Sequence, residues 1–256
     1  MKTLFKQGLV PVFLLSKIMK FYLQGRGFIS EKHIEAIKSI NGQIVNTIEE
    51  ADWVVILTPN WLHYWQIIDA LKKGKNVLCE KPLVISETEC QDLINIKGNK
   101  KIFSVFQLRY LPILKDIKIL DWNDIKIVVN VHRDKKYFES WKGKDEKSGG
   151  ILYNLGIHYL DLIILLFGEP KEIRKGFCGN KENNGFFKGD NYSCEYTFAY
   201  ETPEDKQYRK FEINGKEYNL ETTENLHKQV YQDLIKEKGI TPEDNLKVIN
   251  LIEKLK

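Results

Sequence analysis

The stretch "LCEKPLVIS", Leu78 to Ser86, carries an apolar run straight into a glutamate, a lysine and a proline with no loop residues between them. Val77 to Cys79 and, upstream, Trp53 to Leu57 are continuous apolar runs bounded by chain breakers. Such runs are typical of strands buried on both faces of a parallel sheet. Ligands of an open parallel sheet collect beyond the carboxyl ends of its strands, which is where Glu80, Lys81 and Pro82 fall. The proline fixes the turn through a bond of the one type that is readily cis, and so aims Lys81 into a cleft. Standing alone, the same three residues would read as a surface lysine paired with Glu80.

Working outward, the chain repeats strand, turn and helix. Lys20 to Gln24 form a short strand, "GRGFIS" follows, and residues 31–40 set Ile34, Ile37 and Ile40 on a helical stripe stopped by Asn41 and Gly42. Thr58, Pro59 and Asn60 break the strand at Trp53 to Leu57, and a helix runs from about Leu62 to Lys73, ended by Gly74. "SETE" is a capping box, with Ser86 as N-cap and Glu89 reaching back, and opens a helix to about Lys97. Ile102 to Gln107 make a further strand. This alternation predicts an α/β fold with a Rossmann-like, doubly wound parallel sheet over residues 19–119. Residues 120–256 change character. Ile125 to Arg133 is a strand, "DKKYFESWKGKDEKSGG" a loop, and Ile151 to Phe167 an apolar helix closed by Gly168. Strands at Glu172 to Cys178, Tyr192 to Tyr200, Tyr208 to Ile213 and Lys216 to Leu220 follow, the last two joined by the hairpin turn Asn214-Gly215. Two helices finish the chain, the last announced by Thr241, Pro242 and Asp244 as N-cap, N1 and N3. The second unit therefore reads as an α+β domain with an open-faced sheet, its last helix packing back on the first unit.

Composition narrows the function classes. The net charge of +4 is spread over 39 basic and 35 acidic residues, which is no nucleic-acid footprint and leans only towards an anionic ligand. Cys79, Cys90, Cys178 and Cys194 have neither metal-ligand spacing nor the density of a disulfide scaffold, so reduced thiols, no metal and a cytoplasmic location are expected. No apolar run approaches the roughly 20 residues of a membrane span. Residues 1–18 imitate a signal peptide but offer no small-residue cleavage site, and read as a dispensable extension before the strand that starts near Met19.

Two further motifs carry chemistry. "GRGFIS" lies directly after a strand and before a helix, as a dinucleotide fingerprint does: Gly25 makes the turn and Gly27 lets backbone approach a pyrophosphate at the helix N-terminus. Ser30 stands in for the third glycine. In "GGILYNLGIHYLDLIILLFG", Asn154, His158 and Asp161 share one helical face, with Gly156 allowing close approach of another backbone or a ligand. An isolated histidine on an apolar helix is as readily a core histidine satisfied by a carbonyl. An ammonium at Lys81 beside a cationic nicotinamide ring would have a lowered pKa, suited to exchanging a proton with a substrate hydroxyl.

"TPNWLHYWQIIDALKKGKNVLCEKPLVIS" together with "GGILYNLGIHYLDLIILLFG" resembles the glucose-fructose oxidoreductase/inositol dehydrogenase (Gfo/Idh/MocA) family. Within it, "QLRYLP", "SWKGKDEKSGG", asparagine at residue 154 and "ENLHKQVYQDLI" are most like the UDP-N-acetylglucosaminuronate 3-dehydrogenases of surface-polysaccharide pathways. The resemblance implies an NAD-dependent oxidation of a secondary sugar hydroxyl, with NADP left open. It implies proton transfer by Lys81 and His158, with Asn154 beside them. It implies a cofactor lined by Gly25, Gly27, Phe28, Ile29, Thr58, Pro59, Asn60, His63, Glu80, Lys81 and Gln107. Substrate contacts fall to Lys81, Arg109, Tyr110, Lys147, Asn154, His158 and His227, and Arg133 and Lys142 are added for their charge, since guanidinium and ammonium groups suit carboxylate and phosphate. The partners it implies are a nucleotide-linked sugar and another copy of the chain through the C-terminal sheet, with neither nucleic acid nor membrane.

The chain departs from that family where a strand should end in a carboxylate that holds the adenine ribose. Only "NGQIVNTIEEAD" remains there, so either "QIVN" is that strand, with neutral Asn46 at its end, or the strand is missing. The sheet is expected to be short around "GNKENNGFFKGDN" as well. A non-redox sugar-binding relative with an impaired cofactor site, or a dehydrogenase of a free sugar or inositol, are the alternatives.

Overall fold

The computed structural model describes residues 18–200 and 203–256; the expectation for residues 1–18 falls almost wholly outside them. Five strands make the first sheet: β1 (Lys20–Gln24), β2 (Gln43–Val45), β3 (Trp53–Ile56), β4 (Asn76–Glu80) and β5 (Ile102–Val105), in the order β2-β1-β3-β4-β5. All pair in parallel. Helices α1 (Ser30–Ser39), α2 (His63–Lys72) and α3 (Glu87–Ile96) are the crossovers. Apolar residues of one strand serve opposite faces in turn: Val54 and Ile56 pack into one cluster, Trp53 and Val55 into the other, as two-sided burial requires.

"QIVN" is a strand, but a stub of three residues at the sheet edge, and exposed Asn46 follows it. Strand order reverses between β1 and β3, which places the crevice for a ligand at that switch point. The buried stripe of α1 is Ser30, His33, Ala36 and Ile37, one step round from the expected isoleucines, so a histidine faces inward. Ser86 caps α3 by accepting from the Glu89 amide, which is one half of the expected capping box.

The second sheet runs β11-β10-β6-β9-β8-β7 and is mixed. Its members are β6 (Asn123–Asn130), β7 (Glu172–Cys178), β8 (Glu182–Lys188), β9 (Tyr192–Ala199), β10 (Tyr208–Ile213) and β11 (Lys216–Glu217), with β6 and β9 parallel. β8 lies in the segment expected to be trimmed. Its register against β7 and β9 buries Asn183 and Phe187, and the Tyr196 hydroxyl donates to Asn183 Oδ1 at 2.9 Å.

The segment expected to be a loop is instead three short helical turns: α4 (Lys135–Glu139), a 3-10 turn (Trp141–Gly143) and α5 (Asp145–Ser148). Asp134 and Ser140 cap the first two through side-chain oxygens. A π-turn at Leu152–Gly156 then leads into α6 (Ile157–Phe167). Asp145 to Phe167 is long and apolar enough to cross a membrane by composition, but 61% of its apolar window is buried inside the protein, as in a core helix.

Helices α7 (His227–Leu234) and α8 (Pro242–Leu255) close the chain. The Thr241 hydroxyl and the Asp244 carboxylate form the full capping box of α8. α8 packs on α3 and α6, and α7 on α1, so both return to the first sheet and its neighbours. The larger apolar cluster is continuous from Val54 through Leu160 to Ile252.

Candidate active site

β4 delivers Glu80 and Lys81 at its carboxyl end, before a cis Lys81–Pro82 bond. The Lys81 ammonium donates to the Asn154 carbonyl at 3.0 Å, so the first sheet and the π-turn meet at this pair. Burial lowers the Lys81 pKa to about 8, against the opposing pull of Glu80 and with help from Lys142 and Arg133. A π-turn adds one residue to a helical turn, and such turns recur at functional sites. Here it presents both the carbonyl and the amide of Asn154 to neighbours: its Nδ2 donates to the Lys142 carbonyl at 3.1 Å.

Two cavities meet at this point. The larger, about 910 Å³, is lined by Gln107, Asn154, His158, Arg209, Thr222 and His227 among others. The other, about 680 Å³, takes in Gly25 to Ile29, Leu57 to Asn60, Glu80, Arg133 and Lys142. Lys81, Asn154 and Ile29 are common walls of both. His158 opens on the larger cavity. Its Nδ1 is buried without a hydrogen-bond partner, and so is Gln107 Oε1 beside it. Burial, reinforced by the Lys81 charge, holds the His158 ring well below its ordinary pKa, so it is a neutral imidazole with an uncommitted nitrogen.

The second cavity has the features a dinucleotide needs. Gly25 sits at φ +109°, and a Cβ there would lie 3.0 Å from the Leu57 carbonyl group, so only glycine lets the loop pass β3. A Cβ on Gly27 would meet nothing within 4 Å, which leaves that face open for a pyrophosphate. α1 has no side-chain cap at its N-terminus, and its Ser30 and Lys32 amides turn back to the Gly27 and Ile29 carbonyls at 3.0 and 3.2 Å. Pro59 and Asn60 line the same wall, with Phe28 exposed at the rim. These residues fit a bound NAD. Asn46 lines neither cavity, so no carboxylate stands at the end of β2 to take a ribose hydroxyl.

Several residues singled out from sequence have other employment. Arg109 holds Asp161 in a fork, Nε to Oδ2 at 2.8 Å and Nη2 to Oδ1 at 2.6 Å, and lines neither cavity. Asp161, expected to share a working face with Asn154 and His158, is thereby closed off inside the protein. The Tyr110 hydroxyl donates to Asp233 at 3.1 Å and ties the turn after β5 to α7. Lys147 places its ammonium 5.4 Å from the centre of the Trp61 ring. His63 is fully buried, its ring nitrogens 2.8 and 2.9 Å from the Pro82 and Thr58 carbonyl oxygens. Burial keeps its pKa low, so the neutral ring donates to one of these two carbonyls and packs against the other, and it lines neither cavity. Thr58 donates its hydroxyl to Gln66, and Asn60 Nδ2 donates to the Ser148 carbonyl at 2.9 Å. Arg133 and Lys142, nominated for charge alone, do line the second cavity.

Sequence reasoning missed His33, Tyr231, Arg209 and the strip from Leu220 to Glu224. Glu80 Oε1 receives His33 Nε2 at 2.9 Å and His227 Nε2 at 3.2 Å, and these two imidazoles hold its carboxyl far below the usual carboxylate range against the opposing effect of burial. The spacing of Ser30, His33 and Ile37 on one helical face was the available signal for His33. The 220–224 strip has no motif to announce it.

Comparison with known proteins follows the same division. Residues 25–107 match the model of an oxidoreductase family's NAD-binding Rossmann fold (GFO_IDH_MocA), and residues 123–246 match that family's C-terminal alpha/beta domain. A solved structure of the WlbA (WbpB) dehydrogenase from Thermus thermophilus, in complex with NAD and UDP-GlcNAcA, is similar over 92% of this chain and 94% of that one, with TM-score 0.82 and 25% identity. A curated relative, 2,7-anhydro-N-acetylneuraminate hydratase of Escherichia coli (strain K12), is 32% identical over 52% of this chain and 38% of its own length. Another, scyllo-inositol 2-dehydrogenase (NADP(+)) IolW of Bacillus subtilis (strain 168), is 28% identical over 56% of this chain and 44% of its own. The match spans less than half the length of these curated relatives.

Proposed function

We propose, on the premise that this chain belongs to the Gfo/Idh/MocA oxidoreductase family, that it oxidises a secondary hydroxyl of an anionic, nucleotide-linked sugar, with a UDP-linked N-acetylated uronate as substrate and the sugar C3 as the reacting carbon. The observation that carries this reading is the common wall of Lys81 and Asn154 between a cofactor-shaped cavity and a second cavity that His158 overlooks. A nicotinamide bound in the first would accept the hydride from the sugar carbon. Lys81 then takes the hydroxyl proton, because with a pKa of about 8 an appreciable fraction of the amine is neutral near physiological pH. The His158 ring, neutral and lining the cavity that Lys81 also lines, shares that proton. Asn154 holds the Lys81 amine through its carbonyl, which fixes the direction of transfer. Arg133 and Lys142 supply positive charge to the cofactor-shaped cavity, suited to a pyrophosphate there, and Arg209 lines the cavity that His158 overlooks. The likeness to the UDP-GlcNAcA complex supports the substrate class, and the relatives acting on inositol or anhydro-sugars define the alternatives.

The test is formation of reduced nicotinamide, followed by absorbance, when the purified chain is given NAD and either UDP-linked uronates or unlinked sugars and inositols. Turnover with the UDP-linked uronate, at a kcat/KM at least tenfold above any unlinked sugar, is the expected result. Turnover confined to inositols or unlinked sugars would replace the substrate assignment. Failure to bind NAD at millimolar concentration would remove the redox reading altogether.

A further inference from the structure

The most unusual cluster among the described residues lies under the cavities, where three elements distant in sequence converge. His33 comes from α1, Glu80 from the end of β4 and His227 from the start of α7. Their side chains are 0%, 14% and 3% exposed, and their ligand atoms lie within 4.8 Å of one another. Both imidazoles turn Nε2 on the same carboxylate oxygen, at 2.9 and 3.2 Å, and the rings meet edge to face with centroids 4.7 Å apart.

Hydrogen-bond accounting fixes one of the rings. Asn225 Nδ2 donates to the Lys32 carbonyl and to Glu35, each at 3.0 Å, so the amide orientation is set and Oδ1 is the atom facing His227. That oxygen already accepts the His227 amide at 3.2 Å and can only accept from His227 Nδ1, 3.1 Å away. With its proton on Nδ1, the His227 ring directs a lone pair from Nε2 at Glu80 Oε1. Unless the ring also carries a proton on Nε2, an electrophile must stand between that lone pair and the carboxylate oxygen 3.2 Å away. His33 has both tautomers open to it, since its Nδ1 lies 2.9 Å from the Tyr231 hydroxyl, which can donate to that nitrogen or accept from it.

The geometry points to a site for a divalent transition-metal ion of the zinc or cobalt class, held by His33 Nε2, Glu80 Oε1 and His227 Nε2. Two imidazoles and a carboxylate are a donor set such ions take, and bonds of about 2.0–2.2 Å in a tetrahedral site put neighbouring ligand atoms roughly 3.3 Å apart, against 2.9 and 3.2 Å for the two nitrogen–oxygen pairs here. Asn225 and Tyr231 are the outer partners that orient the two rings, as metal-bound imidazoles require. Glu80 lines one cavity and His227 the other, so the cluster borders both. Bound there, the ion straps α7 to the sheet and to α1. This site stands independently of the redox reading, and its test uses no substrate.

The probe is Co²⁺ alone, titrated into the full chain after chelator treatment and followed by its visible absorption, with Zn²⁺ calorimetry and thermal melts in parallel. One equivalent of Co²⁺ is expected to bind saturably, and Zn²⁺ to raise the melting temperature of the wild-type chain. His33→Gln and His227→Gln should each weaken binding at least tenfold, Asn225→Ala about 10–100-fold as an outer partner, and His132→Gln not at all. Folding of each variant is checked by circular dichroism, and the wild-type titration stands without them. Absence of a saturable Co²⁺ band and of Zn²⁺ heat would show that a proton alone bridges the cluster and would overturn the site. Undiminished binding in the His33→Gln/His227→Gln double variant would overturn it equally, by placing the ion elsewhere.

Discussion

In the proposed reaction Lys81 concentrates the chemistry and the cost of the site in one side chain. In the unfolded chain its amine titrates near 10.5, and burial brings that to about 8 in the native state. Below pH 8 both states hold the proton and the penalty of keeping a cation in the protein is fully present. Between about pH 8 and 10.5 the native state sheds its proton first, so this contribution to stability improves as pH rises through that window. Lys81→Met is therefore expected to raise the melting temperature at pH 7 by about 2–4 °C, the equivalent of roughly 1 kcal/mol in a chain of this size after allowing for water at the half-buried amine. The gain should fade above pH 10. The same variant should lose about 10²–10⁴ in kcat while retaining NAD, since only proton transfer is removed. In the wild type, kcat/KM for sugar oxidation should rise with pH through about 8, as neutral amine replaces ammonium. Scanning calorimetry from pH 6 to 11 and initial rates from pH 6 to 10 check these expectations. The sequence exposed Lys81, Asn154 and His158 because their motifs are local. It could not show that Arg109 belongs to Asp161, since that pairing is set by packing across 52 positions.

Elements were legible where a local signal was strong. Thr241, Pro242 and Asp244 announced α8 because a cap is a contact between near neighbours, and Asn214-Gly215 announced its hairpin because both residues tolerate positive φ. β8 was not legible, because Asn183, Asn184 and Gly185 are poor strand formers and only pairing with β7 and β9 makes them extended. The π-turn at Leu152–Gly156 is equally silent, since its apolar residues fit an ordinary helix. The glycine loop belongs at this scale too. Gly25→Ala must either leave φ +109° or press its Cβ on the Leu57 backbone, so a loss of about 1–3 kcal/mol is expected. Because the loop also forms the wall for a pyrophosphate, the NAD dissociation constant should rise at least tenfold. Urea unfolding and fluorescence titration with NADH measure the two effects separately.

At the scale of the molecule, the two sheets are joined through α8, which lies on α3 and α6 and buries Val248, Ile249 and Ile252 in the shared cluster. Asn245 Nδ2 donates to the Ser104 hydroxyl at 2.8 Å and to the Thr241 carbonyl, so the helix is also pinned to β5 by buried polar contacts. Removing residues 241–256 is expected to abolish cooperative unfolding in both halves together, with loss of near-ultraviolet dichroism and binding of a hydrophobic dye. Retention of one sharp thermal transition in the truncated chain would show that the halves are stable apart. The sequence by itself determined the parallel sheet, the rim where Lys81 stands and the glycine loop, because buried runs, turn residues and caps act over a few neighbours. Only the tertiary structure decided which cations face the cavities, that Glu80 is gripped by histidines 47 and 147 positions away, and that α8 completes the core. Those outcomes depend on how far-separated elements pack, and a side chain's partner across such a gap is settled by shape and burial after the chain has folded.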